Sequence, residues 1–135
     1  PRTDPGYTVE ENRERLADSR LSKMARVQAA RRVAYAQRCE KQIALTCLVI
    51  GPANILHLPG EPMIEFQLYA QRLLPNALVA VAENGDWGPG YICTEKAFAE
   101  GGYEPSGSNV APHSETILKA AIRSVLGVDT APANP

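Results

Sequence analysis

Histidine occurs twice in this chain, tryptophan once and cysteine three times. An odd cysteine count with no close pair (Cys39, Cys47, Cys93) excludes a disulfide framework and a Cys-x-x-Cys metal site. All three are expected to be small buried thiols. No Gly-x-Ser-x-Gly elbow is present, so a Ser-His-Asp hydrolase has no support. The glycine run from Gly85 to Gly90 lacks both the Gly-x-Gly-x-x-Gly spacing and a following Lys-Ser or Lys-Thr, which removes a phosphate-cradling loop. The longest apolar stretch, Ile43 to Leu58, is broken by Gly51-Pro52 and is too short to cross a bilayer. No signal peptide is visible and the first residue is Pro, which reads as a piece of a longer chain. Internal repeats and low-complexity segments are absent as well.

What is present suits one domain with a core of useful size: 135 residues, 44% apolar and 21% charged, with a net charge of −1. The charge is unevenly placed. Residues 1–41 carry ten basic and six acidic side chains, and the remainder four and nine. The basic residues alternate with Glu10, Glu11, Glu14 and Asp18, the pattern of a solvated, salt-bridged helix face, so no nucleic-acid partner is expected. Thr8-Val9-Glu10-Glu11 has the form of a capping box. Strong helix formers follow to about Glu40 and predict one long N-terminal helix. Its apolar stripe (Leu16, Met24, Val27, Val33) is thinner than a core helix needs, so the helix is expected to pack on a partner or on the rest of a larger protein. The expected organisation is a helical segment over 1–41, an α/β part over 42–128 and a flexible tail over 129–135.

The α/β part is organised around Leu58-Pro59-Gly60-Glu61-Pro62. The run Gln42 to Ile50 is too apolar for a half-exposed strand. Gly51-Pro52-Ala53-Asn54 is turn chemistry, and Ile55 to Leu58 is a return strand. Pro62 fits the first position of a helix running to Leu74, which puts Glu61 at or near its N-cap. Ala77 to Ala82 reads as a buried strand, parallel to its predecessor across the helix. Residues from Glu83 to Tyr91 and from Tyr103 to Asn109 read as irregular, with a short helix between them from Thr94 to Glu100. A last helix after Pro112 carries Ile117, Leu118, Ala121, Ile122, Val125 and Leu126 on one buried face, with Glu115 and Lys119 paired on the other. The class is α/β: a small mixed sheet of three or four strands with packed helices.

The loops at one end hold His57, Glu61, Asp86, Trp87, Tyr91, Tyr103, Glu104 and His113. Loops at the carboxyl ends of such strands are where ligands bind. Two histidines and a carboxylate are in principle a catalytic zinc set, but the spacing of His57, Glu61 and His113 matches no ligand motif. The residues alone give an α/β domain with one crowded polar end.

Three motifs sharpen this reading. They are Leu58-Pro59-Gly60-Glu61 after an apolar hairpin, Gly90-Tyr91-Ile92-Cys93-Thr94-Glu95, and Gly102-Tyr103-Glu104 followed by Ala111-Pro112-His113-Ser114. Tyr103 lies twelve positions after Tyr91, and His113 ten after Tyr103. This set, in this order, resembles the neutral/alkaline (non-lysosomal) ceramidase family over roughly Ile43 to Leu126. The family consists of zinc amidases whose metal is held by two His, one Glu and one Tyr. The resemblance implies that Glu61 and Tyr91 are zinc ligands and that Tyr103 lies close to the scissile amide. It also implies a membrane-lipid (sphingolipid) substrate and an extracytoplasmic or secreted location. Nothing in the chain matches the two family histidines, and His113 matches a Pro-His that is not a ligand there. The resemblance therefore implies the C-terminal part of a catalytic domain, contributing half of a Zn2+ site, with the N-terminal part as its partner. The isolated chain is then expected to be inactive.

Two other readings stand beside it. A non-catalytic module would use the N-terminal helix to form a homo-oligomer or to dock on a partner. A cysteine hydrolase around Cys93 would need a nearby base, and the sequence shows none.

Overall fold

The computed structural model describes residues 1–85 and 88–128. Asp86, Trp87 and the expected tail over 129–135 lie outside the described residues. The chain divides into two compact units: residues 1–42 with 109–111, and residues 43–108 with the stretch from 112 onward. Among the described residues no helix is long and apolar enough to cross a membrane.

The first unit is a helical hairpin of α1 (Val9–Ala17) and α2 (Lys23–Arg38) rather than one long helix. The capping box is present: the Thr8 hydroxyl accepts from the Glu11 N–H at 3.3 Å, and the Glu11 carboxylate accepts from the Thr8 N–H at 3.3 Å. The break comes from Asp18-Ser19-Arg20-Leu21-Ser22. Asp18 turns its carboxylate onto the Arg20 N–H (2.9 Å), and Ser22 caps a new helix by accepting from the Ala25 N–H (3.2 Å). Short polar side chains offer the backbone this alternative to helix. The Arg26 guanidinium then donates to the freed Leu16 carbonyl at 3.0 Å, tying the two helices. Asn12 is fully buried, donating to the carbonyls of Gly6 (3.1 Å) and Thr8 (2.8 Å).

The second unit is mixed α/β, as the sequence predicts. Its three-stranded sheet has the order β1-β2-β4: β1 (Thr46–Ile50), β2 (Ala53–Pro59) and β4 (Leu78–Gly85). β1 and β2 form an antiparallel hairpin closed by Gly51-Pro52, with Ile50 opposite Ala53. Gly51 has φ 56°, which glycine adopts without a Cβ clash. β2 and β4 are parallel, joined by α3 (Ile64–Leu73). Leu56 and Leu58 of β2, Val79 of β4, Phe66 and Ala70 of α3, and Leu118 and Ile122 of α6 (Ser114–Val125) are buried and form the core.

Three expectations about packing change. β1, the most apolar run, is an exposed edge: Leu48, Val49 and Ile50 are 49%, 63% and 59% exposed. Cys93 is fully buried, but Cys47 is half-buried and Cys39 exposed. The last helix buries Leu118 and Ile122 but leaves Ile117 62% exposed, because residues i and i+1 sit about 100° apart on a helix and cannot both face one neighbour. α6 ends as expected at Gly127, φ 69°, where the Gly127 and Val128 N–H groups reach back to Ser124 and Arg123 (3.0 Å each).

Candidate functional site

A second, two-stranded sheet builds the site. Glu61–Pro62 form β3 and Tyr91–Ile92 form β5, running parallel. Glu61 is therefore not a helix cap, as its position before Pro62 suggests. Its N–H donates to the Gly90 carbonyl at 2.8 Å, and the Met63 N–H to Ile92 at 3.1 Å, so the backbone stays extended until α3 begins at Ile64. Pro62 sits between those two donors, at a position where a parallel ladder asks nothing of its missing N–H.

The approach of the two strands depends on glycines. Gly60 has φ 65°, and a Cβ there would lie 2.5 Å from the Gly90 oxygen and 2.8 Å from Pro89 Cδ. A Cβ on Gly88 would collide with the backbone N and Cα of Gly60. Both values lie inside ordinary contact distance, so the turn before β3 and the loop before β5 touch backbone to backbone. The end of β4 closes the third side: Gly60 accepts from the Asn84 N–H at 2.5 Å, and Asn84 takes φ 62°, which Asn tolerates better than most residues.

The parallel register places Glu61 directly opposite Tyr91. Both line a cleft of about 550 Å³, together with Tyr103, Glu104, Glu83 and the start of α3. The Tyr91 and Tyr103 rings meet edge to face, with centroids 5.8 Å apart and planes at 70°. Tyr103 is 74% exposed at the mouth. It stands on α5 (Tyr103–Gly107), a short helix where the sequence reads as irregular, just after the expected short helix α4 (Glu95–Glu100). Partial burial, then the Glu61 carboxylate and the neighbouring Tyr103, push the Tyr91 hydroxyl above its ordinary range. Beside an anion a phenol keeps its proton; a cation placed between the two would reverse that preference.

Of the eight polar residues singled out from sequence, the cleft gathers Glu61, Tyr91, Tyr103 and Glu104. His57 and His113 are not among its lining residues. His57 is exposed on the face of β2 opposite Leu56 and Leu58, with its Nδ1 3.2 Å from the Thr46 hydroxyl. His113 is exposed at the start of α6. Asp86 and Trp87 lie outside the described residues. Glu83 is an addition. Its signal is the two-residue period Val79-Val81-Glu83, which carries a carboxylate onto the same strand face.

Comparison with protein-family models, with curated proteins and with solved structures finds no match to this chain. The chemistry of the donors must therefore decide whether zinc fits. Among the described residues no group of three or more His, Cys, Asp or Glu is placed to hold a metal, which leaves His57, Glu61 and His113 unassembled. What the ladder does assemble is one carboxylate, an ordinary zinc donor, opposite one phenol.

Proposed function

We propose that this chain is part of a zinc-dependent amide hydrolase similar to the neutral ceramidases, contributing half of the metal site. Glu61 and Tyr91 would hold Zn2+, and Tyr103 would meet the substrate amide. The observation that carries the reading is the ladder pair Glu61–Tyr91. Two motifs thirty positions apart in the sequence resemble one family by their order. In the fold they are cross-strand partners, with the tyrosine of the third motif against the second.

Each residue has its own task in this reading. Glu61 supplies a fixed negative charge at a strand exit. Tyr91, whose hydroxyl is pushed above its ordinary range by burial and by Glu61, would become a donor once a cation offsets that charge. Tyr103, exposed at the mouth, offers a hydroxyl to a substrate carbonyl. Zinc, when bound, supplies Lewis-acid polarisation of a carbonyl and a water ionised near neutral pH. Two donors are too few for a catalytic site, and the resemblance assigns the remaining two, both histidines, to polypeptide outside these 135 residues.

The test is zinc titration and a ceramide hydrolysis assay on the chain alone and on the complete polypeptide. The chain alone should bind zinc weakly and cut nothing. The complete protein should hold zinc and cleave the amide. Glu61→Gln and Tyr91→Phe should each lower its zinc affinity. Unchanged zinc affinity in both variants would sink the proposal.

A further inference from the structure

Both tyrosines of the cleft are held from one short helix, and the hold on Tyr91 is not needed to form the strands. The carbonyls on either side of Tyr91, those of Gly90 and Ile92, are taken by the backbone N–H groups of Glu61 and Met63. In a parallel ladder the carbonyl between them points the other way. There the hydroxyl of Ser108, a fully buried residue, donates to the Tyr91 carbonyl at 2.8 Å. The preceding residue, Gly107, lies flush against the ring itself: a Cβ there would stand 3.2 Å from Tyr91 Cδ2 and 3.4 Å from Cε2. At the other end of the same helix, Tyr103 packs its ring edge to face on Tyr91. Pro105, buried midway along α5, fixes the backbone of that helix.

We propose that Gly107 and Ser108 are positioning residues for Tyr91, setting its phenol against Glu61 and in fixed register with Tyr103. Ser108 anchors the backbone, and the bare Cα of Gly107 defines where the ring can lie. Because Tyr103 rides on the same helix, the amide-facing hydroxyl and the metal-facing hydroxyl are set by one rigid piece. This assignment rests on the reading of Tyr91 as a ligand. Groups that orient metal ligands typically carry roughly 10- to 100-fold in metal affinity.

The experiment is NMR of the chain with ring-labelled tyrosine, in which Tyr91→Phe and Tyr103→Phe assign the two rings. The wild-type chain should show cross-peaks between them. Gly107→Ala asks the ring to give by only a few tenths of an ångström, so it should stay folded by circular dichroism. It should move the Tyr91 ring signals and weaken those cross-peaks. Ser108→Ala should do the same, and Ser108→Thr, which keeps the hydroxyl, should restore them. If Ser108→Ala does not fold, Gly107→Ala decides alone. Unchanged ring signals in folded Gly107→Ala, or in folded Ser108→Ala, would overturn the proposal and leave the pair a purely structural role. In the complete polypeptide, Ser108→Ala should also weaken zinc binding roughly 10- to 100-fold. A failed zinc titration with the ring signals moving as expected would remove the metal and spare the clamp.

Discussion

Replacing Gly60 by Ala should damage the cleft far more than the same exchange at Gly127. Two costs add. The first is conformational: φ is 65°, and a left-handed L-residue costs roughly 1–2 kcal/mol. The second is steric. The new Cβ would lie 2.5 Å from the Gly90 oxygen and 2.8 Å from Pro89 Cδ, both inside the closest approach that Cβ atoms make. Neither neighbour is the tip of a flexible side chain, so β5 must retreat from β3, and the Glu61 and Met63 hydrogen bonds to Gly90 and Ile92 lengthen. Losing one such bond costs about 1 kcal/mol, which brings the total to about 3 kcal/mol. Gly127 is the control. It has φ 69° and nothing within 4 Å of a built Cβ, so Gly127→Ala should cost only the conformational share, roughly 1–2 kcal/mol. The assay is urea unfolding followed by circular dichroism. With a slope of about 1.5 kcal/mol per molar, Gly60→Ala should lower the midpoint by about 2 M and Gly127→Ala by about 1 M. Equal midpoint shifts would refute the reasoning, because only the contact with Pro89 and Gly90 separates the two sites.

Three further outcomes follow from the same geometry. Thr8→Ala removes the hydroxyl that accepts from Glu11 N–H and should destabilise the helical hairpin by about 1 kcal/mol in a thermal melt. The Glu115 carboxyl is held below its ordinary range by Lys119, with help from the Glu95 N–H. Its contribution is therefore complete above about pH 4.5 and is lost as pH falls through the lower folded-state value; it is worth at most about 1 kcal/mol for so partial a burial. Melts of Glu115→Gln should accordingly show a shallower loss of stability on acidification than the parent, and an identical acid limb would count against the pairing. Val49→Lys places a charge on the open edge strand and should reduce concentration-dependent light scattering without lowering the melting temperature, since Val49 is 63% exposed.

Local signals were the most legible part of the fold. The capping box at Thr8, the stop at Gly127 and the parallel pair across α3 each depend on residues close in sequence, and each is where the pattern puts it. The failures are tertiary or competitive. Helix propensity over 9–40 is high throughout, but Asp18 and Ser22 bond to backbone groups two and three residues away and divide the helix. Apolar content marks β1 as interior, yet its outer edge has no neighbour among the described residues. Burial depends on which elements lie alongside, and a run of Leu-Val-Ile carries no record of that.

The site divides along the same line. Motif order named Glu61, Tyr91 and Tyr103, and strand pairing places the first two opposite one another. The sequence gives no sign of why they can meet. The deciding contact is Gly60 against Gly88, two backbones that touch because neither has a side chain. Glycine in a loop reads as flexibility; only the fold turns it into an approach distance. The same holds for Gly107 under the Tyr91 ring. The acidic and phenolic groups are thus the readable half of the site, and the hydrogens standing where side chains would otherwise be are the half that sets their distance. A chain that kept Glu61 and Tyr91 but carried a methyl at residue 60 or 88 would retain both donors of the proposed site and lose the approach that sets them opposite one another.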